Sequence, residues 1–124
     1  MLSFIAVGLG GAIGAILRYS ITMLMNNLQT PFPFGTFISN VIAGFFCGAF
    51  IYINRNTSML NPTVALFITT GIMGGLSTFS TFSVETVNLF KNSDYVLGSI
   101  NILANLICCL SSVVLGIQVA KKFI

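Results

Sequence analysis

Charge is what this sequence lacks. Only 6% of its 124 residues are Asp, Glu, Lys or Arg, while 56% are apolar. A soluble domain carries about a quarter charged residues, and five basic plus two acidic side chains cannot cover a water-facing surface of this size. Histidine is absent altogether. Cys47, Cys108 and Cys109 all fall inside apolar stretches, where thiols behave as small apolar residues. Neither a metal cluster built from side chains nor a disulfide framework is indicated. Glu85 and Asp94 are the only carboxylates, so there is no chain of acids to relay protons. Gly8-Leu9-Gly10-Gly11-Ala12-Ile13-Gly14 superficially matches a dinucleotide-binding loop, but that reading needs a preceding strand and a βαβ context. Helix packing explains those glycines better. No nucleotide or nucleic-acid partner is expected, and nothing defines an enzyme site.

What the sequence has is length without charge. Residues 1–17, 19–53, 56–84 and 95–120 are uncharged, and a helix needs about 20 apolar residues to cross the hydrocarbon core. The expected fold is an all-α integral membrane protein, a single four-helix transmembrane domain over residues 1–124. Helices are placed near 3–26, 34–53, 62–90 and 96–120. Amides and prolines from Asn26 to Pro33 end the first; Asn54 to Ser58 and then Asn61-Pro62 form the second loop; Lys91 to Asp94 form the third. Loops this short make neighbouring helices antiparallel. The N-terminus has no basic leader and no small-residue cleavage site, so it reads as the first span and not as a signal peptide.

Polar and small residues recur at helical spacing. Gly10, Gly14 and Arg18 share one face, as do Thr36, Asn40, Gly44 and Gly48, and again Asn101, Asn105 and Cys109, with Ser112 and Gly116 nearby. For the glycines, close helix packing is the reading. For Asn40 and Asn105 packing and function both stand, because amides in lipid are costly. Arg18 and Glu85 are the charges deepest in spans. A wet vestibule, a mutual ion pair or snorkelling to a headgroup must relieve each of them.

The third span is the informative one. Gly74-Gly75 in its middle is followed by five hydroxyl residues, Ser77, Thr78, Ser80, Thr81 and Ser83. Glycine weakens a helix and hydroxyls offer its backbone other partners. A break near mid-membrane is therefore expected, and it frees carbonyls that protein, water or an ion must satisfy. Phe79 and Phe82, three apart, project to one side just beyond it.

These residues resemble the signature blocks of a known family. Gly10 to Tyr19, Gly35 to Gly44 and Gly74 to Glu85 are similar, in order, to those of the CrcB/Fluc fluoride channels, and the likeness spans the whole chain. The resemblance implies an antiparallel, dual-topology homodimer with two fluoride pores and a structural sodium ion on its two-fold axis. Gly74 and Ser77 match the positions that give backbone carbonyls to that sodium. Phe79 and Phe82 match the paired rings lining the pores, Asn40 the pore amide, and Thr36 a hydroxyl one turn away. Ser80 or Thr81 would add a hydroxyl, and Asn105 stands on the polar track of the fourth helix. That helix departs from the family, which commonly has tyrosine and serine where Asn101 and Asn105 align. The role implied is passive fluoride export across the cell membrane, lowering cytoplasmic fluoride.

The chemistry is coherent by itself. Fluoride holds water tightly, so a selective pore needs strong local donors, and amides, hydroxyls and the positive edges of aromatic rings supply them. A small multidrug-type proton-coupled transporter would need a carboxylate in its first span, where this chain has only Arg18. A structural subunit of a larger membrane complex would use the third span for packing alone. Arg55, Lys121 and Lys122 fall on one side of the membrane and Lys91, with Arg18 deeper, on the other. So small a bias suits a chain that inserts both ways and pairs with itself. The alternative is an oppositely oriented paralogue.

Overall fold

A backbone in hydrocarbon must satisfy its own N–H and C=O groups, which favours helix wherever the uncharged runs lie. The computed structural model describes residues 1–124 as helices joined by short non-helical segments, without strands. Four stretches are long and apolar enough to cross a membrane: Leu2–Asn26, Phe34–Thr57, Pro62–Lys91 and Tyr95–Phe123. The helix starts fall at or within a residue of the expected positions, but two ends do not. The second helix continues through Asn54 to Thr57, residues expected to be loop, and the fourth runs through both lysines to Phe123. Local chemistry explains the extra turns. Asn56 Nδ2 and Thr57 Oγ1 donate to carbonyls four residues back, at 2.8 and 2.7 Å. Arg55, Lys121 and Lys122 put positive charge at helix C-termini, where the macrodipole favours it.

Glycine works here through size and not through turn geometry. None of the glycines has positive φ; the left-handed positions are Gln29, Ser58 and Ser93, one in each loop. The glycines instead let backbones touch. A Cβ on Gly44 would stand 2.6 Å from Ser112 Oγ, and one on Gly48 or Gly116 would strike the backbone of Val113 or Phe45. These contacts zip the second span to the fourth. Gly10 and Gly14 likewise meet the backbone of residues 67–76, and Gly71 and Gly75 reciprocate, which zips the first span to the early part of the third.

The third span is not uniform. An α-helical turn, Pro62–Leu66, widens into a π-helical stretch, Phe67–Met73, then tightens over Gly74–Leu76. The Thr69 hydroxyl donates to the Ala65 carbonyl at 2.8 Å, a competition that loosens α-helical register. Ser77 and Thr78 are extended (ψ 153° and 117°), and helix resumes over Phe79–Lys91. Little apolar surface is buried within one chain. Ala43, Ala65, Leu76, Phe82, Leu89 and Ala120 are the only buried apolar residues apart from glycine, and large apolar side chains are exposed on every span.

Candidate functional site

The extended pair Ser77-Thr78 leaves helix ends facing a polar patch of the second and fourth spans. Asn40 meets them with its side-chain amide. Its Oδ1 accepts from the Thr78 N–H at 2.7 Å, and its Nδ2 donates to the Thr78 carbonyl at 3.3 Å and to Asn105 Oδ1 at 3.2 Å. Because a backbone N–H can only donate, that contact fixes which way the amide points. Thr78 Oγ1 caps the resuming helix by accepting from the Thr81 N–H at 3.2 Å, and it donates to Thr81 Oγ1 at 3.1 Å. On the other side of the interruption, Arg18 Nε donates to the Gly75 carbonyl at 3.1 Å. A cation thus sits at the C-terminal end of one half-helix, where carbonyls point outward.

Beside this junction lies an open groove of about 440 Å³. Asn40, Gly74, Ser77, Phe79, Phe82 and Asn105 are all on its walls, so six residues singled out in the sequence share one surface. Phe79 and Phe82 have ring centroids 5.4 Å apart at 48°. Phe82 is buried at 8% exposure, whereas Phe79 is 75% exposed. Nothing in this chain covers the outer ring.

Other expected residues lie elsewhere. Thr36 is buried away from the groove and donates to Glu85 Oε1 at 2.8 Å; Glu85 Oε2 is buried without a partner. No ion pair joins Arg18 to Glu85, since Arg18 serves the Gly75 carbonyl and Glu85 the Thr36 hydroxyl. Ser80 and Thr81 gather around the Thr78 hydroxyl and do not line the groove. Three residues were not singled out as site residues: Thr78, Thr86 and Asn101. Thr78 had a legible signal, a hydroxyl residue followed three positions later by another at a helix start. Asn101 stood in a polar stripe. Thr86 carried no signal, since only the packing of the third span on the fourth brings it to Asn101.

The sequence has relatives among known proteins along nearly its whole length. A family model described as "CrcB-like protein, Camphor Resistance (CrcB)" matches residues 5–117. The chain is 45% identical over 122 residues to a protein of Ruminiclostridium cellulolyticum named fluoride-specific ion channel FluC, covering 98% of this chain and 94% of that one. It is 42% identical over 122 residues to one of the same name from Clostridium perfringens, covering 98% and 95%. With another so named, from Shewanella amazonensis, it shares 48% identity over 113 residues, 90% of each chain.

Proposed function

Since the chain belongs to the CrcB family, with relatives named as fluoride-specific channels along nearly its whole length, we propose that it is a fluoride-selective channel of the cell membrane. It lets fluoride leave passively, and it performs no covalent chemistry. The observation that carries this reading is the convergence of Phe79, Phe82 and Asn40 on one groove beside the Ser77-Thr78 interruption. Ring edges and an amide are weak donors singly, but held together in a low-dielectric wall they replace water around a small anion. Asn40 is prepared for this. Its two amide protons rest on a carbonyl and an amide oxygen at 3.3 and 3.2 Å, and an anion is a stronger acceptor than either.

The working unit is an antiparallel homodimer. Exposure of the Phe79 ring and of the Gly74 face of the groove supports it, because a second copy would close a groove that one chain leaves open. A structural sodium ion fits the same break. A continuous helix would aim the N–H groups of Thr78 and Thr81 at the carbonyls of Gly74 and Ser77. Here those N–H groups go to Asn40 Oδ1 and Thr78 Oγ1. The carbonyls of Gly74 and Ser77 would therefore hold the ion, which would supply positive charge at the end of a half-helix. The Ser77 hydroxyl donates to the Met73 carbonyl at 2.9 Å and is not needed as a ligand.

Purified protein in liposomes loaded with fluoride tests the function. Fluoride efflux that needs no proton gradient and outruns chloride is expected; a sealed vesicle would point to a structural subunit, and strictly proton-driven exchange to a coupled transporter.

A further inference from the structure

The hydrogen bonds of Asn40 do not end at the interruption. They continue across the bundle as one chain with a single direction. With Asn40 Oδ1 on the Thr78 N–H, its nitrogen faces Asn105 Oδ1. That leaves Asn105 Nδ2 to donate to Asn101 Oδ1 at 3.0 Å and to the Asn101 carbonyl at 2.9 Å. Asn101 Nδ2 then donates to Thr86 Oγ1 at 2.9 Å, and Thr86 donates to the Phe82 carbonyl at 2.7 Å. One backbone donor at Thr78 thus sets the orientation of three amides and a hydroxyl. Asn101 is 0% exposed, and Asn105 and Thr86 are 6% exposed. Polar groups so buried in an apolar bundle destabilise it unless satisfied, and these three side chains, with the half-buried Asn40, are satisfied by one another and by the backbones of the third and fourth spans.

Both ends of the chain land on the same short segment. Thr78 and Phe82 bracket the turn that carries both rings. We infer that Asn101 is a positioning residue for permeation. Through Asn105, on the groove wall, it holds the Asn40 amide in one orientation, and through Thr86 it holds the backbone at Phe82, so Asn101 clamps both flanks of the ring-bearing turn. Asn101 does not itself line the groove. The longest bonds of the chain, 3.2 and 3.3 Å, are the two that Asn40 donates, so the network yields where an arriving anion competes for a proton and stays pinned elsewhere. This assignment rests on Phe79, Phe82 and Asn40 serving the fluoride path.

Thr86→Val tests it, since the side chain keeps its shape but loses the hydroxyl that accepts from Asn101. Fluoride efflux is read per folded protein, with the oligomer followed by elution volume. Losing that acceptor leaves the buried Asn101 amide free to turn, and Thr86→Val is expected to lower flux about tenfold or more. Thr86→Ser, which keeps the hydroxyl, should recover most of the flux. Should Thr86→Val not fold, Asn101→Thr is the second variant. It is too short to reach both neighbours and should show the same loss. Either folded variant passing fluoride at the wild-type rate overturns the assignment, as does Thr86→Ser falling as far as Thr86→Val. A drop in yield with flux per folded protein unchanged marks a purely structural network and overturns it as well. Wild-type liposomes that pass no fluoride would sink the channel reading instead, and the two failures are distinct.

Discussion

Phe79 and Phe82 stand side by side in the groove but differ in what holds them. Phe79 is three-quarters exposed, so changing it disturbs little packing, while Phe82 is buried. Isoleucine at either position removes the ring edge and keeps an apolar side chain. Phe79→Ile should therefore lower fluoride flux strongly while leaving the packing within the chain intact, whereas Phe82→Ile should lower both flux and melting temperature, with about 1 kcal/mol or more lost to repacking. Wild-type flux from both variants in the liposome assay would remove the rings from the pore. Asn40 is constrained more tightly. Its oxygen accepts from Thr78 N–H, and its nitrogen donates to two oxygens. Asn40→Asp preserves shape but turns both donor contacts into oxygen facing oxygen, and it places negative charge on the proposed anion path. Loss of flux together with a lower melting temperature is expected, on the order of 2 kcal/mol for the orphaned acceptors. Asn40→Ser should be milder in flux, because a hydroxyl still donates. An aspartate variant conducting normally would make this amide a packing residue.

At the scale of elements, the third span carries an extended Ser77-Thr78 pair ahead of the helix Phe79–Lys91. Thr78 Oγ1 caps that helix by accepting from the Thr81 N–H. Thr78→Val deletes that cap and should cost about 1 kcal/mol, read as a lower melting temperature, with Thr78→Ser close to wild type. Equal melting of all three would mean that the junction is held by Asn40 alone. The adjacent glycines make opposite predictions. A Cβ on Gly75 would run into the backbone of Gly11 and Ala15, whereas one on Gly74 would meet nothing nearer than the Thr69 carbonyl at 4.0 Å. Gly75→Ala should force the first and third spans apart and reduce folded protein. Gly74→Ala should leave the single chain intact, and any effect of a larger residue there should be on pairing between chains, seen as a shift in elution volume. A larger residue at Gly74 that spares pairing would remove that face from the interface.

For the whole molecule, the imbalance between small buried and large exposed apolar residues leaves apolar surface on every span for lipid, and for the proposed second copy, to cover. Arg55, Lys121 and Lys122 lie at one end of the bundle, where Lys121 Nζ sits 5.6 Å from the Tyr52 ring centre, and Lys91 lies at the other. This margin is small for an orientation set by lysine and arginine. A single cysteine on a C-terminal tag, with Cys47, Cys108 and Cys109 replaced, should be labelled from both sides of the membrane. Labelling from the cytoplasm alone, with no flux from the purified chain, would favour an oppositely oriented paralogue.

The apolar runs and the scarcity of charge were enough to read four spanning helices from sequence, because in hydrocarbon a long uncharged segment has no alternative that satisfies its backbone. The stretch from Gly74 to Phe82 was legible as the informative one because glycines and hydroxyls at that density contradict a lipid-facing helix. Helix ends were less legible. At Thr57 and Phe123 the extra turn depends on side chains bonding back to carbonyls and on the helix dipole, which apolar periodicity does not register. Partnerships were not legible at all. Arg18 and Glu85, the two charges any sequence reading would try to join, have separate neighbours in Gly75 and Thr36. Thr86, an unremarkable hydroxyl, ties the fourth span to the turn that carries the rings. Spacing along one helix says which residues share a face. Only the packing of the second, third and fourth spans decides which donor meets which acceptor, because that depends on relative rotation and axial shift between helices, and no single segment encodes either.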